Sequence, residues 1–350
     1  MTKQQYPVLA LVAVFGLAMA LPAQMQLYTV YEATVYLVMA ILALSLAFIW
    51  GKGGIMCLGQ SAFFGLGAYA YAVAALNFGP GVVACLAAVA LPALGAALLG
   101  YFMFYGRISD IYVGVITLAV TLILFNLMNS TSGPHYHIGQ ARLGGFNGIT
   151  GIPTLAWPDG TPLSPAALFR LTAGLLVAVL AALGLYLRSP AGKLALAVRE
   201  NEHRAELLGY NVALSKLSTF AIGGAVAGLA GGLFANWGAF VSPTVFALLQ
   251  SAQIIIWVIV GGRGTLVGPI LGCIALQWAT TQLGTQQVVQ VNLVLGVVLS
   301  AFVLLVPAGL LPSLGKWVRP LRAARAQGGP LAAAGPQRSA RHEGGSGHDA

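Results

Sequence analysis

What most constrains this chain is where its charge lies. Between Gln4 and Gly315 there are 16 charged residues, and eight of them fall between Arg188 and Lys216. The remainder of that region is a succession of long apolar runs. Across all 350 residues the charged share is 7%, against about 25% for an ordinary soluble domain. A soluble fold would lack the polar groups to cover its surface. Three cysteines, scattered in apolar surroundings, exclude a disulfide scaffold. Extended disorder is excluded except at the C-terminus.

The remaining class is a polytopic integral membrane protein. About 20 apolar residues cross the hydrocarbon core as a helix. The runs are continuous rather than alternating, which favours helices over a closed barrel. An all-α bundle of about ten transmembrane helices is therefore expected, at 7–23, 28–50, 62–78, 82–105, 109–128, 166–187, 217–235, 243–260, 266–283 and 288–308. The glycine-rich stretch 51–67 is expected to enter the membrane in part without spanning it. Residues 1–315 form the membrane domain, and 316–350 a basic, then disordered, cytoplasmic tail whose Lys316, Arg319, Arg322 and Arg325 sit at the lipid surface.

Basic residues orient the bundle. With ten spans, Lys3, Lys52, Arg107, the 188–216 loop, Arg263 and the tail all lie on one side, and the long 129–165 loop lies on the other. Both termini are then cytoplasmic. Arg170 is a lone exception, and eight spans would keep the same parity. The N-terminus has a second reading as a signal peptide, with Lys3, an apolar stretch and the small residues Ala18 and Ala20.

Several chemistries can be set aside. Each of the three Gly-Lys pairs lacks the Ser or Thr of a phosphate-binding loop, since Gly53, Leu194 and Trp317 follow them. The spans hold almost no ionisable residue, which argues against a stand-alone secondary transporter or channel with ion coupling. A membrane enzyme would need converging His, Asp, Glu or Cys side chains inside the spans. Glu32 and Asp110 read as interface residues. His135 and His137 stand two apart without a third ligand, and no metal or bound cofactor is expected. The partners expected are lipid and protein, with no nucleic acid.

The crowded loop is the most informative segment. From Lys193 to Leu208 it has good helix formers with no Pro or Gly, and Gly209 is suited to end the helix. On one continuous helix Leu194, Val198, Ala205 and Leu208 share a face. Such a helix is either a surface connector or a docking element for a partner protein. In the segment 51–69, whose broken helix geometry could line a path with backbone groups, Gln60, Ser61 and Tyr69 are polar candidates for a translocation path, and Thr117, Thr121 and Asn126, on related faces of the fifth span, are further ones. Single hydroxyls in spans also commonly bond their own backbone. Gly224, Gly228 and Gly232 recur every four residues, a pattern that favours close helix packing over pore lining.

Four segments, taken in order, resemble a known family. They are Gly59-Gln-Ser-Ala-Phe-Phe-Gly-Leu-Gly-Ala-Tyr69, Gly144-Gly-Phe-Asn-Gly-Ile-Thr-Gly-Ile-Pro153, the stretch from Val198 to Val212, and Gly261-Gly-Arg-Gly-Thr-Leu-Val-Gly-Pro-Ile-Leu-Gly272. Together, over about residues 30–312, they look like the inner-membrane permeases of branched-chain amino acid ABC importers, the LivM-like family. The resemblance implies a non-catalytic subunit that works by alternating access. It implies a homologous LivH-like second permease, two cytoplasmic ATPases that bind ATP and Mg, and a periplasmic substrate-binding protein, which could dock on the outer loop near Arg142 and Asp159. It also implies that the 188–216 loop couples to the ATPases through Val198, Glu202, Ala205, Leu208 and Gly209. Gln60 stands where many relatives have His, which removes a titratable group. The Gly-Gly-Arg-Gly turn after Trp257 also resembles the urea and short-amide branch, so urea or a short amide is the alternative solute.

Overall fold

The computed structural model describes residues 26–285 apart from 134 and 158, together with the isolated positions 22 and 296. The expected spans 7–23 and 288–308 and the tail 316–350 lie outside the described residues. Ten helices are described. They are α1 Leu27–Leu46, prolonged by a wide π-turn Ala47–Lys52, then α2 Gln60–Phe78, α3 Val82–Tyr105, α4 Asp110–Ser130 and α5 Pro165–Arg188. The short α6 Pro190–Glu200 and α7 Glu202–Leu207 follow, then α8 Val212–Gly238, α9 Leu248–Gly261 and α10 Val267–Thr285. Six are long and apolar enough to cross a bilayer: α1 with its π-turn, α2, α3, α4, α5 and α8. The expected count of ten is thus not reached among the described residues.

Packing follows from small residues. The central helix α8 lies against α1, α2 and α3. Its glycines at 224, 228 and 232 face Ala96, Pro92 and Ala88 of α3, while Gly231 lies against the Phe64 carbonyl of α2. Pro92 has no N–H, so the carbonyl four residues earlier, Ala88 O, loses its intrahelical donor. The bare backbone of Gly228 comes against that carbonyl, where a Cβ could not fit. The four-residue glycine repeat is therefore a packing seam, as its spacing suggests. Aromatic rings fill the wider gaps, with Phe63 and Phe104 both edge-on to Phe220.

One expected span and the expected loop helix differ in form from the helices found. The region 243–260 does not begin as a helix. After Gly238 the chain turns at Ala239, pairs Phe240–Val241 as a strand, and makes a 3-10 turn Pro243–Phe246 before α9 starts at Leu248. Ser242 and Pro243 are extended and turn formers, and the β bridge to Ile149–Thr150 takes up backbone groups that a helix would otherwise satisfy. The expected helix over 193–208 is two helices. It starts at Pro190 and breaks at Asn201 (φ −158°, ψ 99°), whose side chain accepts from Arg204 N at 2.8 Å. Asn is a weak helix-interior residue and a strong N-cap, so the break needs neither Pro nor Gly.

Candidate functional site

The basic segments gather at one end of the bundle. Lys216, at the start of α8, donates to Glu202 Oε2 at 2.6 Å and to Asp110 Oδ1 at 3.3 Å. Its side chain is only 11% exposed. Arg107, in the turn between α3 and α4, pairs with Glu206 at 3.2 Å. Of the three acids in the 188–216 segment, Glu202 and Glu200 pair with Lys216 and Arg199 of the same segment, and Glu206 reaches out to Arg107. These pairs border an open cleft of about 790 Å³, lined also by Tyr105, Gly209 and Tyr210. Arg107 has φ 52°, a left-handed conformation unusual for a residue with a side chain.

The five expected coupling residues divide into two sets. Val198 and Ala205 point inward with Val212, and Leu194 packs beside them. Ala205 is 4% exposed, whereas Leu208 is 71% exposed. Leu208 does not share their face, because the break at Asn201 reorients α7 and the helix ends at Leu207. Glu202 is held by Lys216, and Gly209 takes the expected left-handed conformation (φ +85°). The outward apolar surface is Leu207, Leu208 and Tyr210. Sequence reasoning overlooked Leu207 and Tyr210, since a continuous helix hid which side faces out.

The same end holds a second junction. Arg199 of α6 donates from Nη1 to the Gly51 carbonyl at 2.6 Å. Lys52 donates to Gly264 O at 2.8 Å, and Arg263 lies over the Trp50 ring, 5.3 Å from its centroid. Glycine at 51 is required because a Cβ there would strike the Arg263 carbonyl. Thus the π-turn of α1, the end of α6 and the turn between α9 and α10 meet at one point.

Just beyond it, the chain from Gly53 to Gly59 runs back into the bundle and starts α2 among buried polar groups. Thr117 Oγ1 accepts from Leu58 N at 3.2 Å and from Gly59 N at 3.3 Å, and donates to Gly114 O at 2.8 Å. Thr121 Oγ1 donates to Thr117 O at 2.9 Å, with Gly59 O 3.4 Å away. Gln60 Nε2 donates to Ser45 Oγ at 2.8 Å and reaches Gly223 O at 3.4 Å, while Cys57 Sγ lies 3.4 Å from its Oε1. Ser61 and Ser251 hydroxyls share a bond at 2.5 Å. Tyr69, two turns along the same helix, stacks on Phe246 at 5.6 Å, and its buried hydroxyl has no partner among the described residues. So five of the six polar candidates are buried around α2, with Gln60, Ser61, Thr117 and Thr121 at its start and Tyr69 further along. Asn126 does not join them. It is exposed and donates to Leu122 O at 2.9 Å, since five residues along a helix turn it well away from Thr121.

The opposite end is capped by the 129–165 loop. Asn77 donates to Ile138 O at 2.9 Å and accepts from Gln140 N at 2.8 Å. Tyr31 and Trp237 exchange bonds with each other's carbonyls at 2.6 and 2.8 Å. Arg142 and Asp159 are both exposed. The Thr161 hydroxyl, then its N–H, holds the Asp159 carboxyl below its ordinary value, so it stays ionised as pH falls into the usual carboxylate range. Among the described residues no group of three His, Cys, Asp or Glu side chains is placed to hold a metal ion.

Long apolar helices with one charged, loop-bearing end define a multi-pass membrane protein of mainly helical fold. The chain belongs to the family described as branched-chain amino acid transport system permease component, whose sequence model matches residues 28–307. Two curated relatives are high-affinity branched-chain amino acid transport system permease proteins LivM. The one from Escherichia coli (strain K12) is 33% identical over 289 residues, and the one from Salmonella typhimurium (strain LT2) is 31% identical over 284. Each match covers 77% of this chain and 66% of the relative's length. No solved structure matches.

Proposed function

We propose that this chain is the permease subunit of an ATP-binding-cassette importer that moves branched-chain or related neutral amino acids across the bacterial inner membrane. In this reading it works with a homologous second permease, two cytoplasmic ATPases that bind ATP and Mg, and a periplasmic binding protein. The basic end faces the cytoplasm, as the positive-inside rule favours. The observation that supports this best is the loop itself. It is folded and ion-paired to the ends of α4 and α8 and the α3–α4 turn, yet it leaves Leu207 and Leu208 bare beside a cleft. Exposed leucines at the end of a short helix, set next to a groove, suit a protein partner better than water. The family membership and the uncharged spans favour an uncharged or zwitterionic solute moved by energy from outside the chain.

Leu208 is the position to probe, because Ala205 is buried. A Leu208→Cys chain, expressed with the candidate ATPase subunits, is expected to crosslink to them through a short bifunctional reagent. Absence of any adduct in a complex that supports uptake would count against docking at this loop.

A further inference from the structure

We infer that Arg199 is the positioning residue that links the docking loop to the junction of α1 and α2, delivering movement of α6 to the start of α2. This rests on the docking reading above and adds the route by which motion would leave the loop. The π-turn of α1 ends at Lys52, so its last carbonyls lack intrahelical donors. Arg199, in the last turn of α6, donates to one of them, Gly51 O, from a different element at 2.6 Å. A cation at a helix C-terminus also interacts favourably with the helix dipole. Its stem lies against Gly54, whose φ of +74° and bare Cα let the chain pass beneath it.

The closer bond of the guanidinium is to backbone, at Gly51 O. The carboxylate paired with it is Glu200, 3.9 Å from Nη2, and 36% of the Arg199 side chain remains accessible. Lys52 and Arg263 beside it likewise use a backbone carbonyl and an indole face. The three cations repel one another, and each of these partners offsets part of that cost. From Gly54 only five residues lead to Gln60, and the start of α2 is bonded to α4, α1 and α8 through Thr117, Ser45 and Gly223. A rigid shift of α6 therefore reaches the buried polar groups of α2 through one hydrogen bond and one short segment.

The test uses the whole complex in vesicles, with radiolabelled leucine as solute. Arg199→Ala and Arg199→Gln are expected to assemble with the ATPases and to hydrolyse ATP, while leucine taken up per ATP falls by about tenfold, the scale of a lost charge-assisted hydrogen bond. Arg199→Lys, which keeps the charge, is expected to restore part of the ratio. A purely structural cap would lower assembly and leave the ratio unchanged, and an unchanged ratio overturns the inference. A second measurement stands if the variants fail to assemble. Spin labels on Lys193→Cys and Gly264→Cys, both at exposed positions, in a Cys85→Ala chain with Arg199 intact should keep their separation within about 2 Å, the scale of an ordinary interface shift, when ATP turnover is trapped. A larger change overturns the link. Failure of the unmutated chain to assemble with any ATPase overturns the docking reading and takes this inference with it.

Discussion

Thr117 illustrates how much one hydroxyl can do inside an apolar bundle. It accepts from two backbone N–H groups of the segment entering α2 and satisfies its own donor on α4. Thr117→Val keeps the shape and strands both donors. The expected cost is about 1–3 kcal/mol per unsatisfied group, read as a lower unfolding temperature in detergent, with Thr117→Ser close to the parent. At the helix seam, Gly231→Ala places a methyl against the Phe64 carbonyl. Overpacking of this kind costs about 1–3 kcal/mol, which the same melting measurement would show, whereas Gly184→Ala, where nothing lies within 4 Å, should change little. Residue types were legible in the sequence, since hydroxyls and an amide stand out among apolar neighbours. Their partners were not. Ser45 with Gln60, Ser61 with Ser251 and Arg199 with Gly51 are pairings between distant segments, and no local period encodes them.

At the scale of elements, hydropathy placed α3 to the residue and α1, α4 and α5 within a few residues, because a bilayer fixes the length of an apolar run. It failed where the chain leaves regular structure. The start of α8 lies at Val212, five residues before the expected span, because Asn211 caps a helix that extends past the apolar run, accepting from Leu214 N at 2.9 Å. The break at Asn201 was missed for a related reason, since its cap competes with a helix that every neighbour favours. Asn201→Ala should remove the cap, at about 0.5–2 kcal/mol, and favour one continuous α6–α7. That would turn Leu207 and Leu208 away from their present direction. The expected outcome is a larger loss of ATPase co-purification than of thermal stability. Equal co-purification by the variant would indicate that the orientation of α7 does not matter for docking. Leu208→Asp should likewise weaken co-purification with little change in melting, since the side chain it replaces is exposed.

On the scale of the whole molecule, the charge pattern and the fold converge. Half of the charge between Gln4 and Gly315 sits in one 29-residue segment, and that segment, with Lys52, Arg107, Asp110 and Arg263, forms one end of the bundle. The other end is closed by the 129–165 loop. If the basic end is cytoplasmic, Leu208→Cys should react with a membrane-impermeant maleimide only in inverted vesicles, and Phe146→Cys, at an exposed position of that loop, only in intact spheroplasts. Native Cys57 and Cys273 are buried and should stay unlabelled in either. In the proposed function this chain conducts solute while its partners supply the energy. Leucine uptake into vesicles, measured for the chain alone and then with its second permease, ATPases and binding protein, tests it most directly. Uptake should appear only with the partners and ATP present; steady leucine accumulation by vesicles holding this chain alone would contradict it.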